Sequence, residues 1–293
     1  MRKNKIILIG ILLLAVFLRF WRLGDFPVLN ADEAAIGYNA YSLIQTGKDE
    51  HGNPWPIHFQ SFNDYKPGLY FYLVLPFVKF LGLNEWAVRL PGAILGVLTV
   101  LVLYFLVNEL LGRRQEFLIF NIRFSIAEIA AFFLAISPWH IHFSRGGWEV
   151  NTATFFIITG VWLFIRAVNK KKSLIPASLF MILSLYTYHA ARIVVPLLGL
   201  GLLVSYKESL RRNFKDYLFA GFIGLILLIP LVKDLAGPAG DSRVAGVVLF
   251  ADPGPVNRVN EQRGEHGDFS GLEAKILHNK PVNYGLAFLE KWS

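Results

Sequence analysis

Seven apolar segments are spaced along the first 232 residues, and polar or charged stretches separate them. Each approaches the roughly 20 residues that a helix needs to cross the hydrocarbon core of a bilayer, some only when their flanks are included. The segments are 6–18, 90–107, 124–143, 152–165, 174–188, 193–206 and 217–232. The pattern predicts an all-α polytopic membrane protein with about seven transmembrane helices.

The first apolar segment resembles a signal peptide because cations precede it at Arg2, Lys3 and Lys5. The sequence "RFWRLGDF" follows it, aromatic and cationic where a cleavage site needs small residues. We therefore predict an uncleaved membrane anchor.

One further segment, 67–83, is apolar but short, and it contains Pro76 and Lys79. If it does not cross and Met1 is cytoplasmic, three later basic clusters lie on the cytoplasmic side, as the positive-inside rule requires. These clusters are Arg113/Arg114/Arg123, Arg166/Lys170/Lys171/Lys172 and Lys207/Arg211/Arg212/Lys215. We therefore predict that 67–83 is a juxtamembrane or re-entrant segment.

This topology divides the chain into two regions of a plasma-membrane protein with a cytoplasmic amino terminus. Residues 1–233 form the transmembrane domain, in which 23–86 is an extracytoplasmic loop that carries juxtamembrane helices. Residues 234–293 form a second extracytoplasmic region, rich in Gly, Pro and charge at 237–268, with one or two short helices expected at 271–292. Because the inner loops hold little except basic residues, we expect an extracytoplasmic active site.

The composition supports a membrane setting and excludes several kinds of chemistry. The hydrophobic fraction is 54% and the mean hydropathy is +0.46, above the range of a water-soluble globular chain. The net charge of +8 reflects basic residues beside apolar segments, so we do not expect a nucleic-acid partner. The absence of cysteine excludes disulfides, thiolate catalysis and Cys-based metal sites.

Two adjacent carboxylates, Asp32 and Glu33, follow the first apolar segment. Asn30 and Glu33 have the spacing of a capping box, so a helix is expected to start here and to end before Gly47. Helix capping and the helix dipole would explain both acids without any function. The cost of holding ionisable groups against a bilayer favours a functional role instead.

Several charged residues share the predicted outer face with this acidic pair. They are Lys66, Arg89, Arg145, Glu149 and Arg192. Cations next to a carboxylate pair suit an anionic lipid-linked phosphate substrate and an acceptor that needs a general base. Each cation alone is also typical of a headgroup anchor, and Arg145 with Glu149 is equally consistent with a plain ion pair.

Five stretches, in this order, resemble membrane-embedded glycosyltransferases of the GT-C fold. The resemblance is to the group of dolichyl-phosphate-mannose protein mannosyltransferases and lipid A aminoarabinose transferases, and it covers nearly the whole chain. The stretches are "LNADEAAIGYNAYSLIQTG", "YKPGLYFYLVLPFVKFLG", "NEWAVRLPGAILGVLTV", "SPWHIHFSRGGWEVN" and "YTYHAARIVVPL". The resemblance implies a polyprenyl-phosphate sugar donor that enters from the bilayer and a protein, lipid or glycan acceptor.

The resemblance also implies roles for the acidic motif and its partners. Asp32 would be the catalytic acidic residue that positions or deprotonates the acceptor, with Glu33 beside it. Lys66 would bind the donor phosphate, although this chain has "KPG" where many relatives have "KPP". Arg89 and Arg145 would orient the phosphate or the acceptor.

The remaining predicted substrate-binding residues lie further along the chain. Glu149 stands where relatives often have an acidic residue, and Tyr188 and Arg192 follow the segment 174–188 on the outer face. Some relatives bind a divalent cation, so a metal is left open here. His140 and His142 are two residues apart and would face different sides of a helix, which favours interfacial packing.

Two other interpretations stay open. A transporter or flippase would carry ionisable residues inside its spans, and Glu128 is the one acid predicted well inside a span. A non-catalytic truncated relative is the second alternative, because members of this family continue through further spans. We therefore expect the chain to be an amino-terminal portion of a longer protein.

Overall fold

In a computed structural model of the chain, helices dominate. The structure describes residues 2–61, 64–112, 116–119, 122–237, 240, 256–261, 276 and 279–292. The helices are α1 (Arg2–Phe20), α2 (Ala31–Thr46), α3 (Leu69–Leu81), α4 (Glu85–Leu111), α5 (Ile126–Ile136), α6 (Pro138–Arg145), α7 (Glu149–Lys170), α8 (Ile175–Leu185), α9 (Ala191–Ser205), α10 (Lys207–Arg212), α11 (Phe214–Leu235) and α12 (Lys280–Trp292). The strands are β1 (His58–Ser61), β2 (Asp64–Pro67), β3 (Glu116–Ile119) and β4 (Ile122–Ser125).

The chain divides into two packed units. The first comprises Met1–Ser61 and Lys66–Val232 and holds helices α1 to α10 and most of α11. The second comprises Phe62–Tyr65 and Lys233–Ser293 and includes α12. Helix α12 confirms a helix within 271–292, whereas most of 237–268 lies outside the described residues. The boundary at 233, between a transmembrane domain and an extracytoplasmic region, stays a prediction.

All seven predicted apolar segments contain helix, which confirms the all-α membrane fold. Among the described residues, α4, α7 and α11 are long and apolar enough to cross a bilayer, and the bent pair α5 and α6 would make a fourth. Helices α3, α8 and α9 are apolar but shorter. Seven crossings therefore stay a prediction.

The segment 124–143 is not one straight helix, contrary to prediction. Helix α5 ends at Ile136, α6 begins at Pro138, and the two are bent by 58°. Pro138 has no backbone N–H to continue the hydrogen bonds of α5, and the side chain of Ser137 instead accepts from the N–H of His140. Glu128 lies in the first turn of α5, where it forms a capping box with Ser125, so it stands at one end of this candidate span and not well inside it.

Two short two-stranded sheets were not predicted. Strand β1 pairs with β2, and β3 pairs antiparallel with β4 in the connection between α4 and α5. Each strand has only four residues, so the alternation of apolar and polar residues that marks a strand is too short to be recognised in the sequence.

Helix α4 is the central packing element, and α7, α5, α3 and α1 all contact it. A separate hydrophobic cluster holds the two helices of the predicted outer loop against the start of α4. It joins Ile36, Ala40 and Leu43 of α2 to Tyr70, Phe71, Val74 and Val78 of α3 and to Ala87 and Val88 of α4. This cluster fixes α2, which carries the acidic motif.

Candidate active site

The acidic motif begins helix α2 with the predicted capping box. The side chain of Asn30 accepts from the N–H of Glu33 at 2.8 Å, and the Glu33 carboxylate accepts from the N–H of Asn30 at 3.1 Å. The helix ends at Gly47, which has a left-handed φ of 73°. Both ends of the predicted helix are therefore confirmed.

Glu33 is more than a helix cap, because it pairs with Arg89 of helix α4. Arg89 donates from Nε to Oε1 of Glu33 at 2.7 Å and from Nη2 to Oε2 at 2.9 Å. Both side chains are fully buried. Arg89 donates its remaining hydrogen bond from Nη1 to the carbonyl of Leu23 at 2.9 Å, so α2, α4 and the loop after α1 are joined at one point.

The turn between α6 and α7 completes this junction. The N–H of Gly147 donates to Oε1 of Glu33 at 2.9 Å. A Cβ at Gly147 would lie 3.1 Å from Val88 Cγ1 and 3.2 Å from Glu33 Cγ, so a glycine suits this close approach. Asn151 donates to the carbonyl of Gly92 at 2.9 Å and fixes the start of α7 against α4.

Asp32 and Lys66 form an ion pair beside the buried junction. Oδ1 of Asp32 contacts Nζ of Lys66. The Asp32 side chain is 39% exposed and that of Lys66 is 15% exposed, whereas Glu33 and Arg89 are inaccessible. The structure thus brings together the predicted acid and the predicted phosphate-binding cation and leaves the acid partly exposed.

Arg145 lies at the end of α6 and holds the loop that precedes the acidic motif. It donates to the carbonyls of Leu18 at 2.9 Å, Phe26 at 2.8 Å and Arg22 at 3.3 Å. Burial, and secondly the charge of Arg89, lower the pKa of Arg145 from its usual value. Arg145 and Glu149 do not share one helix, because α6 ends at Arg145 and α7 begins at Glu149.

Glu149 lies at the start of α7, near the phenol of Tyr70. Burial chiefly raises the pKa of Tyr70, and the charges of Glu149 and Glu33 raise it further. The hydroxyl of Tyr70 donates to the carbonyl of Val88 at 2.9 Å. Tyr70 is therefore a neutral, buried support for the junction.

Arg192 joins two histidines that are distant from each other in the sequence, His58 and His189. Its Nη2 lies 2.5 Å from Nε2 of His58, and its Nη1 lies 3.0 Å from Nδ1 of His189. The two imidazole rings stack with centroids 6.2 Å apart. Arg192 follows the half-buried Tyr188, and the N–H of Leu69, at the start of α3, donates to the carbonyl of Tyr186 in the same turn. The sequence around His58 does not predict this contact, because Arg192 is 134 positions away.

Comparison with known proteins decides the family. Residues 65–233 match the family model described as "Dolichyl-phosphate-mannose-protein mannosyltransferase". This match covers more than half of the chain. The chain belongs to the dolichyl-phosphate-mannose-protein mannosyltransferase family.

One relative of this mannosyltransferase family is the Bacillus subtilis (strain 168) protein named "Putative mannosyltransferase YkcB". It is 30% identical over 91 residues, which is 31% of this chain and 11% of the relative. The chain therefore aligns with about a ninth of the length of that relative.

The mannosyltransferase family match includes Lys66, Arg89, Arg145, Glu149 and Arg192. Asp32 and Glu33 precede it, so contacts in the structure are what connect them to the matched region. Within the described residues, no group of three His, Asp or Glu side chains is placed to hold a metal ion.

Proposed function

We propose that the protein transfers a sugar from a polyprenyl-phosphate donor to an acceptor at the extracytoplasmic face of the plasma membrane. The observation that carries the proposal is the ion pair between Asp32 and Lys66 at the start of α2. Membership of the mannosyltransferase family and the apolar helices support a membrane glycosyltransferase.

Asp32 serves the acceptor in this proposal. Its carboxylate accepts a hydrogen bond from the attacking hydroxyl and takes the proton as the hydroxyl oxygen bonds to the sugar carbon. The bond from that carbon to the phosphate oxygen breaks, and the electron pair leaves with the polyprenyl phosphate. Direct attack inverts the configuration at the sugar carbon.

Lys66 serves the donor. An ammonium group has three N–H donors, so Lys66 can bind Asp32 and a phosphate oxygen together. Negative charge develops on the phosphate as it leaves, so its attraction to the lysine is stronger in the transition state than in the bound donor. The lysine therefore lowers the reaction barrier more than it tightens donor binding. The lysine therefore links the acid to the leaving group.

Glu33 and Arg89 act as positioning residues in this proposal rather than as direct ligands. Their charged atoms are buried and bind one another, Gly147 and Leu23. Arg145 acts in the same way, because three backbone carbonyls occupy its guanidinium. Half-buried Tyr188 and Arg192 keep the substrate-binding role assigned from the sequence, and so does Glu149.

A transfer assay tests the proposal. Membranes that contain the complete reading frame encoding this chain are incubated with radiolabelled polyprenyl-phosphate sugars, starting with mannose. We expect Asp32→Asn to lower transfer by about 100-fold or more, the contribution of a general base. Asp25→Asn is the matched control in the same loop, since Asp25 is 66% exposed and pairs only at the surface with Arg22.

Full transfer by folded Asp32→Asn protein would refute the role of Asp32. If folded wild-type protein transfers no sugar from any donor, the transporter or the non-catalytic interpretation gains support instead.

A further inference from the structure

A cavity with polar lining residues lies at the opposite end of helix α7 from the acidic motif. It has a volume of about 40 Å³. That is room for about three water molecules, which suits a phosphate group and is too small for a nucleotide. Its polar lining comes from Lys171, Lys172, Ser209, Asn213, Asp216 and Tyr217.

Four elements converge on this cavity. Helix α7 ends beside it at Lys170, α8 begins after lining residue Leu174, α10 contributes Ser209, and α11 begins after lining residue Asn213. The amino ends of α8 and α11 direct partial positive charge toward this region, and the carboxyl ends of α7 and α10 direct partial negative charge toward it, so the net positive charge here comes from side chains and not from helix dipoles. Tyr217 donates to the Oγ of Ser209 at 3.1 Å and ties α11 to α10.

The surface around the cavity is strongly cationic. Lys171 and Lys172 line it, and six further cations stand within two positions of a lining residue in the sequence: Arg166, Lys170, Lys207, Arg211, Arg212 and Lys215. Glu109 pairs with Lys170 at 3.7 Å, and Glu208 pairs with Arg211 at 3.4 Å. In the described part of the chain, Lys171 and Lys172 have no carboxylate within ion-pair distance, and Asp216 is the one acid that lines the cavity.

The length of α7 places this cavity at the level of lipid headgroups. Its 22 residues span about 33 Å, close to the thickness of the hydrocarbon core. The other end of α7 is anchored near Glu33 through Gly147 and Asn151. Exposed apolar side chains adjoin the cavity on α11, with Phe214 57% and Leu218 61% exposed.

We propose that this cavity binds the phosphate of an anionic phospholipid, with Lys171 and Lys172 as the charged ligands. Ser209 and Asn213 supply neutral donors, and the apolar face of α11 contacts the acyl chains. The site is separate from the proposed transfer reaction and lies at the opposite membrane face. A basic pocket between the ends of apolar helices is suited to such headgroups.

Lys171 allows a clean test because its backbone is left-handed, with φ 50°. Lys171→Gly removes the charge and keeps this conformation available. We would measure binding of a short-chain phosphatidylglycerol to the purified full chain in detergent, with phosphatidylcholine of the same chain length and inorganic phosphate as the other probes. The double variant Lys171→Gly/Lys172→Gln should bind phosphatidylglycerol about 30-fold more weakly, since each cation contributes about 1 kcal/mol.

Matched controls separate a site from bulk charge and from misfolding. The pair Lys48→Gln/Lys79→Gln removes the same net charge from two exposed lysines elsewhere and should leave binding unchanged. Asp216→Asn should tighten binding about fivefold because it removes a repelling carboxylate, an effect that misfolding does not produce. Equal losses in both lysine pairs, or no preference for phosphatidylglycerol over phosphatidylcholine, would overturn the proposal. Equally tight, lysine-dependent binding of inorganic phosphate would assign the site to a free anion and would overturn its assignment to a lipid.

Discussion

The guanidinium of Arg89 binds both carboxylate oxygens of Glu33, across 56 residues of sequence, with neither side chain exposed. A buried pair of this kind is costly to break, because removal of one partner leaves the other charge unpaired away from water. The pair therefore makes the start of α2 a rigid support for Asp32, its neighbour.

Glu33→Gln should lower the free energy of unfolding by about 3–5 kcal/mol, since Arg89 stays buried without its counter-charge. The measurement is thermal or denaturant unfolding of purified protein in detergent. Replacing both residues by leucine should cost less than the single change. Asp25→Asn, which breaks an exposed pair, should cost less than about 1 kcal/mol. A Glu33→Gln protein as stable as Asp25→Asn would contradict this account.

Lys66→Ala should lower kcat/KM for the polyprenyl-phosphate donor by about 10- to 100-fold, the value of a hydrogen bond to a charged group. Lys66→Arg should recover part of the loss because it restores the cation. Initial rates at varied donor concentration give the result, and exposed Lys79→Ala is the control. An unchanged kcat/KM in folded Lys66→Ala protein would remove Lys66 from the donor site.

Arg19 offers a test of the bend between α5 and α6. This fully buried residue donates to the carbonyls of Leu134 at 3.3 Å and Ala135 at 3.1 Å at the end of α5. Pro138 has no N–H to donate to the carbonyl of Leu134, which also accepts a long hydrogen bond from the N–H of Ser137 at 3.4 Å. Arg19→Met should therefore destabilise the protein by about 2–3 kcal/mol. Arg22→Met, at an exposed residue after the same helix, should have little effect in the same unfolding experiment. Equal stability of the two variants would show that Arg19 does not support the bend.

Gly92 and Gly10 form a matched pair of helical glycines. A Cβ at Gly92 would lie 2.9 Å from the carbonyl oxygen of Gly146, whereas a Cβ at Gly10 meets nothing within 4 Å. Gly92→Ala should destabilise by about 1–3 kcal/mol, because backbone must move. Gly10→Ala should stabilise α1 by up to about 1 kcal/mol. The measurement is the denaturation midpoint of each variant. A shift in the same direction for Gly92→Ala and Gly10→Ala would contradict the close packing of α4 against the turn after α6.

Local features of this chain could be predicted from sequence, and contacts between distant residues could not. The capping box of Asn30 and Glu33 depends on residues three apart, and the glycine at 47 marks the end of the same helix. The pairs Asp32–Lys66 and Glu33–Arg89 join residues 34 and 56 positions apart, which no periodicity encodes. The prediction that these residues belong to one site came from the resemblance to a known family and not from their spacing in the sequence.

The bend at Ser137 was missed for a different reason. Averaged hydropathy over 124–143 hides one polar residue and one proline, although Pro138 is a direct signal for a new helix start. The cluster of Arg192 with His58 and His189 carried no such signal, because the histidines are 131 positions apart and each is unremarkable locally.

The two ion pairs at the start of α2 also determine how salt should act on the protein. Asp32 and Glu33 are balanced there by Lys66 and Arg89, so these four residues carry no excess charge. A phosphate donor is then held by rearranged hydrogen bonds more than by long-range attraction, and its binding should depend only weakly on ionic strength. The cationic surface at the far end of α7 lacks that balance, so added salt should weaken anion binding there first.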